Sequence, residues 1–281
     1  MKHCASRITL LAAVLGCISA PATADEPLFG YTTLVDTLPK GGKEVEFWMT
    51  HRYDKGAGTY RAYDYRLEFE YGFTDRFMGA FYLNARQHDV SDVPGFDNID
   101  QFRFDGASGE VKYQILSPYK DDFGLGLYGE LTYGRVDKIS GEPNNEWEFE
   151  TKLLLQKNFM EDQLIWAGNV ILEVAREHEA GEEAELELKG SLVTGLSYRF
   201  APGWYGGLEA RYESIWPAEG PREAWALFLG PTLHYGAKSW WATLTWLPQV
   251  SGKPHDDALS SSLTLEEFEK NEIRLRVGFP F

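Results

Sequence analysis

Charged and imidazole side chains are the residues with which this chain could do chemistry. Five histidines lie beyond the first twenty-five residues: His51, His88, His178, His234 and His255. None sits in an H-E-x-x-H motif or another zinc-type spacing, and no G-x-S-x-G occurs. Asp89, Asp92 and Glu177 lie close in sequence to His88 and His178, so a metal site or an Asp–His protease pair at a rim is one reading. Solvated rim histidines are the plainer one, because the spacing constrains them so little. The run from His178 to Glu185 is rich in acids but lacks the ordered spacing of a calcium loop, which favours a solvated charge run. No catalytic residue, cofactor site or metal site is assigned, and a non-enzymatic protein is expected.

The other charges fall on one parity. Tyr63, Tyr65, Leu67, Phe69, Tyr71 and Phe73 alternate with Asp64, Arg66, Glu68, Glu70 and Gly72. One face is apolar and aromatic; the other is charged. That is the period-2 pattern of a strand with two unlike faces. Twelve such segments are expected, at 43–53, 59–73, 77–87, 102–116, 123–135, 146–159, 163–176, 185–200, 204–215, 224–235, 239–250 and 267–281. Five connections are short: 74–76, 117–122, 160–162, 201–203 and 236–238. The intervening ones are mostly longer and more polar: 54–58, 88–100, 136–145, 177–184, 216–223 and 251–266. Long alternating segments, aromatics near their ends and alternating loop lengths are the signature of an all-β transmembrane antiparallel barrel. An even strand number places both termini on the periplasmic side.

Parity then assigns faces. Outward, toward outer-membrane lipid, go residues such as Phe47, Phe81, Leu127, Leu131, Phe149, Leu172, Leu208 and Leu244. The candidate lumen-lining set is Asp64, Arg66, Glu68, Glu110, Lys112, Glu130, Glu148, Glu150, Lys152, Glu173, Glu187, Lys189, Glu209, Arg211, Arg274 and Arg276. Glu44, Glu46, Glu70, Arg86 and Glu272 share its parity. The whole set is net acidic, which suits a water-filled passage for cations or polar solutes. The alternative is that these charges pair across strands and fill a narrow barrel, since a buried carboxylate needs a partner. The leader Leu34 to Gly42 reads as a turn into the first strand, with a short plug as the alternative.

The chain ends Ile273-Arg274-Leu275-Arg276-Val277-Gly278-Phe279-Pro280-Phe281. An alternating last strand closing on Phe279 and Phe281 resembles the signal read by the bacterial outer-membrane assembly machinery. Pro280 departs from the usual ending, a loss tolerable near a strand end. Glu70-Tyr71-Gly72-Phe73-Thr74-Asp75-Arg76 resembles proteobacterial outer-membrane barrels of unknown function. It is also similar to channels associated with phenol-degradation pathways. The resemblance implies a barrel fold over the whole chain after residue 24 and a porin-like transport role. It carries over no functional residue.

At the N-terminus, Lys2 and Arg7 precede a short apolar run, Ile8 to Ala20, and Ala22-Thr23-Ala24 is a small-x-small cleavage site. Residues 1–24 therefore read as a signal peptide and 25–281 as a single barrel domain of a Gram-negative outer membrane. A rival lipoprotein box at Val14-Leu15-Gly16-Cys17 fits less well at Leu15. Both cysteines, Cys4 and Cys17, fall within the signal, which leaves no disulfide or thiol chemistry. A formal charge of -16 argues against nucleic acid as a partner. With 15% aromatic residues, disorder is also excluded. The expectation is a channel or transporter for small solutes. The alternatives are a rim hydrolase acting on lipid or peptide, and a closed structural or surface-binding barrel.

Overall fold

The computed structural model describes residues 26–178, 185–217, 224–253 and 262–281. The signal-peptide reading and His255 lie outside these residues, as do residues 179–184 of the acidic run.

Among the described residues twelve strands form one closed antiparallel barrel. They are β1 (Lys43–Tyr53), β2 (Thr59–Thr74), β3 (Phe77–Ser91), β4 (Ile99–Leu116), β5 (Gly124–Val136) and β6 (Pro143–Phe159). There follow β7 (Leu164–His178), β8 (Glu185–Ala201), β9 (Trp204–Pro217), β10 (Ala224–Gly236), β11 (Trp241–Gly252) and β12 (Asn271–Pro280). Each strand pairs with its sequence neighbours, and β1 pairs with β12 to close the ring. Closure leaves no unpaired edge, which backbone in lipid requires.

The alternation read from the sequence holds through most of each strand; in β4 a bulge at Asp105 reverses it, so that Phe102 and Phe104 are exposed and Asp105 is buried. In β5, Leu127 and Leu131 are 49% and 50% exposed, while Tyr128 and Glu130 are 7% and 6% exposed. Leu127 is flanked across the sheet by Tyr113 and Leu153, both also exposed. An exterior of contiguous Leu, Val, Phe and Trp would be costly in water and is at home in hydrocarbon. Aromatic clusters mark the end that carries the termini. Trp204 and Tyr235 lie 4.6 Å apart, Tyr235 and Trp240 5.3 Å, and Phe73 and Phe77 5.5 Å, centroid to centroid.

Three boundaries differ from the sequence reading in a way that matters. β3 and β4 run on to Ser91 and back to Ile99, so the expected 88–100 loop shrinks to 92–98. Within it Val93 is buried with Tyr60, Ala62 and Val90. The last strand starts at Asn271, not at 267. The residues before it turn inward instead, and Leu265 and Phe268 are buried, Phe268 6.0 Å from Phe228. Side chains of the barrel satisfy their backbone. Gln249 accepts from the Thr264 N–H at 2.7 Å and donates to the carbonyls of Thr264 and Glu269, each at 3.1 Å.

Candidate functional site

The barrel is not empty. The leader does not turn beneath the barrel, as its sequence suggests, but enters the interior as an arch. The arch starts beside His234, whose Nε2 is 3.4 Å from Glu26. It reaches its deepest point near Tyr31 and returns to the turn after β2, where Thr37 donates to the Asp75 carbonyl at 3.2 Å. Residues Leu28, Phe29, Leu34, Val35 and Leu38 are buried. Phe29 packs with Ile165 and Ala167, and Val35 with Tyr128 and Leu154. Gly195 makes room for the Phe29 ring, since a Cβ there would stand 2.5 Å from it.

Polar lumen side chains hold the arch by its backbone. The Glu209 carboxylate accepts from the N–H groups of Gly30, Tyr31 and Thr32 at 2.8, 3.0 and 2.8 Å. The hydroxyls of Thr32 and Thr245 add two further donors, each at 2.9 Å. Asn169 accepts from Thr33 N–H at 2.7 Å and donates to its carbonyl at 2.9 Å. Gln156 accepts from Val35 N–H at 2.9 Å and donates to the Asp36 carboxylate at 3.1 Å. A segment without regular structure stays buried only if its backbone groups find such partners. Burial pushes the Asp36 carboxyl above its ordinary range, against the pull of its bonds to Gln156 and Tyr119.

Above the arch the wall is a belt of opposed charges. Glu110 faces Glu130 across β4 and β5, Glu130 faces Glu150, Glu150 faces Glu173, and Glu173 faces Lys189. Like charges directly opposed are destabilising unless something intervenes. Here cations and hydroxyls reach in from other rows. Arg66 bonds Glu130, and the Tyr82 hydroxyl bonds Glu110. Lys152 lies 3.0 Å from Glu150, and Lys189 lies 3.4 Å from Glu173 and 2.7 Å from Glu187. On the facing wall Arg276 pairs with Glu46 at 2.8 Å, and Arg211 bonds Glu272 and lies 3.2 Å from Glu213. Trp48 underlies this wall, with Arg276, Arg66 and Arg274 at 3.7, 5.3 and 5.5 Å from its ring.

Between the arch and the far loops lies a cavity of about 260 Å³, and a second of about 160 Å³ adjoins it. Of the sixteen candidates, Asp64, Arg66, Glu68, Glu110, Lys112, Glu130, Glu148, Glu150, Lys152, Glu173, Arg211, Arg274 and Arg276 line the first. Glu187 and Lys189 line the second. Glu209 lines neither and grips the arch. The sequence reading passed over the uncharged members of the interior, such as Trp48, Asn169 and Gln156. Their parity was the only signal for them.

The far end is covered from within. Lys55 is fully buried, and its ammonium donates to the carbonyls of Leu265, Glu266 and Phe268 at 2.9, 2.7 and 3.1 Å. The rings of Tyr60 and Phe96 stand 4.9 Å from it. Burial pushes the Lys55 ammonium down to about 8. Residues 137–142 dip in beside it. The Lys138 carbonyl accepts from Arg52 and contacts His88 Nε2 at 3.1 Å. His88 is therefore a buried residue, not the solvated rim histidine expected, and Gly141 packs on its ring. Carboxylates do gather near the arch, as Glu44, Glu46 and Glu70 and as Glu68, Glu70 and Glu110. Trp241 donates to Glu44, Trp48 and Arg276 to Glu46, and Tyr82 to Glu110. Those donors occupy Glu44, Glu46 and Glu110, so each group keeps too few open carboxylates for a metal assignment.

The chain belongs to the Family of unknown function (DUF6662), whose model matches residues 21–281. No curated protein matches it in sequence. Among solved structures it is similar to the COG4313 outer membrane channel from Pseudomonas putida F1. That match has 14% identity and a TM-score of 0.58, and covers 88% of this chain and 98% of the other. The beta domain of the Bordetella autotransporter BrkA matches at 12% identity and a TM-score of 0.55, over 86% and 100% of the two chains. A KdgM porin in complex with oligogalacturonate matches at 12% identity, over 85% and 99%, with a TM-score of 0.48. At such identities the likeness is one of fold: this is a barrel of the bacterial outer-membrane type.

Proposed function

From that membership and fold, we propose that the protein is a non-enzymatic outer-membrane channel for small polar solutes, gated by its own N-terminal arch. One observation carries the reading. A charge-lined cavity runs inside the barrel, and it is closed below by residues 27–38, which are held by side-chain hydrogen bonds and not by strand pairing. A segment so held can leave without opening the sheet. The fold likeness to a protein named as an outer membrane channel agrees with this. In this reading residues 1–24 direct secretion, the Phe279 and Phe281 ending engages the assembly machinery, and the termini face the periplasm. The net acidic lumen favours cations, because low-dielectric walls focus the field of its carboxylates.

The test is conductance of the purified protein in planar bilayers, native and with residues 26–38 deleted. The deletion is expected to conduct more, to pass K⁺ in preference to Cl⁻, and to lose that preference as salt rises from about 0.01 to 1 M and the Debye length falls from about 30 to 3 Å. A folded deletion variant that conducts nothing would overturn the channel reading. It would favour instead a closed structural barrel, the reading that the dense internal ion pairing supports.

A further inference from the structure

Most charges that line the larger cavity are paired along their own wall. Arg274 is different. Its guanidinium donates to Thr50 Oγ1 at 2.8 Å and to the Gly30 carbonyl at 3.1 Å, both neutral acceptors. It lies over the Tyr31 ring at 3.9 Å. Among the described residues no carboxylate stands within ion-pair distance of it. Glu148 is its counterpart. It lines both cavities and makes no hydrogen bond or ion pair with a described residue. Arg274 is on β12 and Glu148 on β6, which stand six places apart in a ring of twelve, and so face each other across the lumen.

A planar guanidinium fixed on aromatic rings is a receptor for a carboxylate, which it can take through two parallel bonds. An unpaired carboxylate in a confined interior is a receptor for an ammonium group. Placed on opposite walls, the two make a field across the cavity that orients a dipolar solute. The cavity is smaller than the roughly 300–1,000 Å³ of sites for drug-sized molecules. We infer that the larger cavity is a binding site for a small zwitterion, its carboxylate on Arg274 and its ammonium on Glu148. The inference rests on the channel reading only for how the solute arrives.

The test is calorimetric titration of the full-length protein in detergent at low salt with 4-aminobutyrate, 6-aminohexanoate and 8-aminooctanoate, set against hexanoate and hexylamine. One of the three amino acids should bind saturably at one site, at least about tenfold more tightly than either singly charged probe. Glu148→Gln should bring its affinity down to that of hexanoate, and Arg274→Gln down to that of hexylamine. Heat-modifiable migration on gels confirms that each variant is folded; if one is not, the comparison of probes on the native protein decides alone. Hexylamine binding as tightly as the best amino acid, or no saturable binding, overturns the site. Liposome swelling separates the two readings. Arabinose flux without zwitterion binding overturns the site and leaves the channel, whereas binding without flux supports the site and removes the channel.

Discussion

Thr32 gives both its N–H and its hydroxyl to a single oxygen of Glu209, at 2.8 and 2.9 Å. With the neighbouring N–H groups of Gly30 and Tyr31, the arch presents three successive backbone donors to one strand carboxylate. Consecutive N–H groups converging on an anion form a concave anion site. Here the anion is part of the wall. A charged lumen residue thus serves as a clamp on the segment that closes the lumen.

Glu209→Gln should loosen that clamp. The amide replaces one acceptor with a donor that confronts backbone N–H groups, and hydrogen bonds to a charged group are worth about 1.5–3 kcal/mol each. A thiol placed at the fully buried Val35 reports on the arch. Its labelling by a thiol reagent should be slow in Val35→Cys alone and faster by at least about tenfold with Glu209→Gln added, tenfold corresponding to about 1.4 kcal/mol. Equal rates would mean that apolar packing, and not the carboxylate, retains the arch.

Gly195→Val should have the same effect by a different route. The added side chain takes the space of the Phe29 ring on an inward-facing strand position that pairs with Glu209. A β-branched residue suits the strand itself, so the barrel should fold while single-channel current rises. Native-like current from a folded variant would show that Phe29 can repack without leaving.

Leu127→Arg places a cation on the exterior, between Tyr113 and Leu153. In a bilayer it should destabilise by about 2–4 kcal/mol if the position lies near the midplane. Ser191→Arg, on a cavity-lining position opposite Glu213, should cost less, because it places no charge in hydrocarbon. Urea unfolding in liposomes measures both. Equal costs would contradict the assignment of faces.

The far-end cover should respond to pH through Glu269. Burial pushes its carboxyl up to about 7, with the Glu272 charge adding to the rise and the Arg52 and Lys55 charges opposing it. The folded state therefore holds a proton between about pH 4.5 and 7 that the unfolded chain has released. Stability contributed by this group is present below the unfolded value and is lost as pH rises through about 7. Glu269→Gln should remove that fall, so that native and variant Tm curves diverge between pH 5 and 8 on common axes. Parallel curves would mean that Glu269 is ionised throughout.

Strand number, strand order around the ring and the direction of most strand side chains were legible in the sequence; the bulge at Asp105 in β4, which turns Phe102 and Phe104 outward, was not. Side-chain alternation is local: Leu127 and Glu130 take opposite sides because successive residues of a strand must. The contents of the lumen were not legible. Residues 26–42 carry no period, and whether such a segment turns beneath the barrel or arches into it depends on the volume that inward side chains leave. Phe29 fits because Gly195 lacks one. The same limit hid the inward fold of Leu265 and Phe268, whose apolar character suited a strand equally well. Parity gave which charges face inward, but not which of them pair. Arg66 meets Glu130 across 64 residues and Arg276 meets Glu46 across 230. Those partners are set by strand register and by the reach of long side chains over neighbouring rows. Only closure of the barrel determines either, and only closure leaves Arg274 and Glu148 facing each other across it.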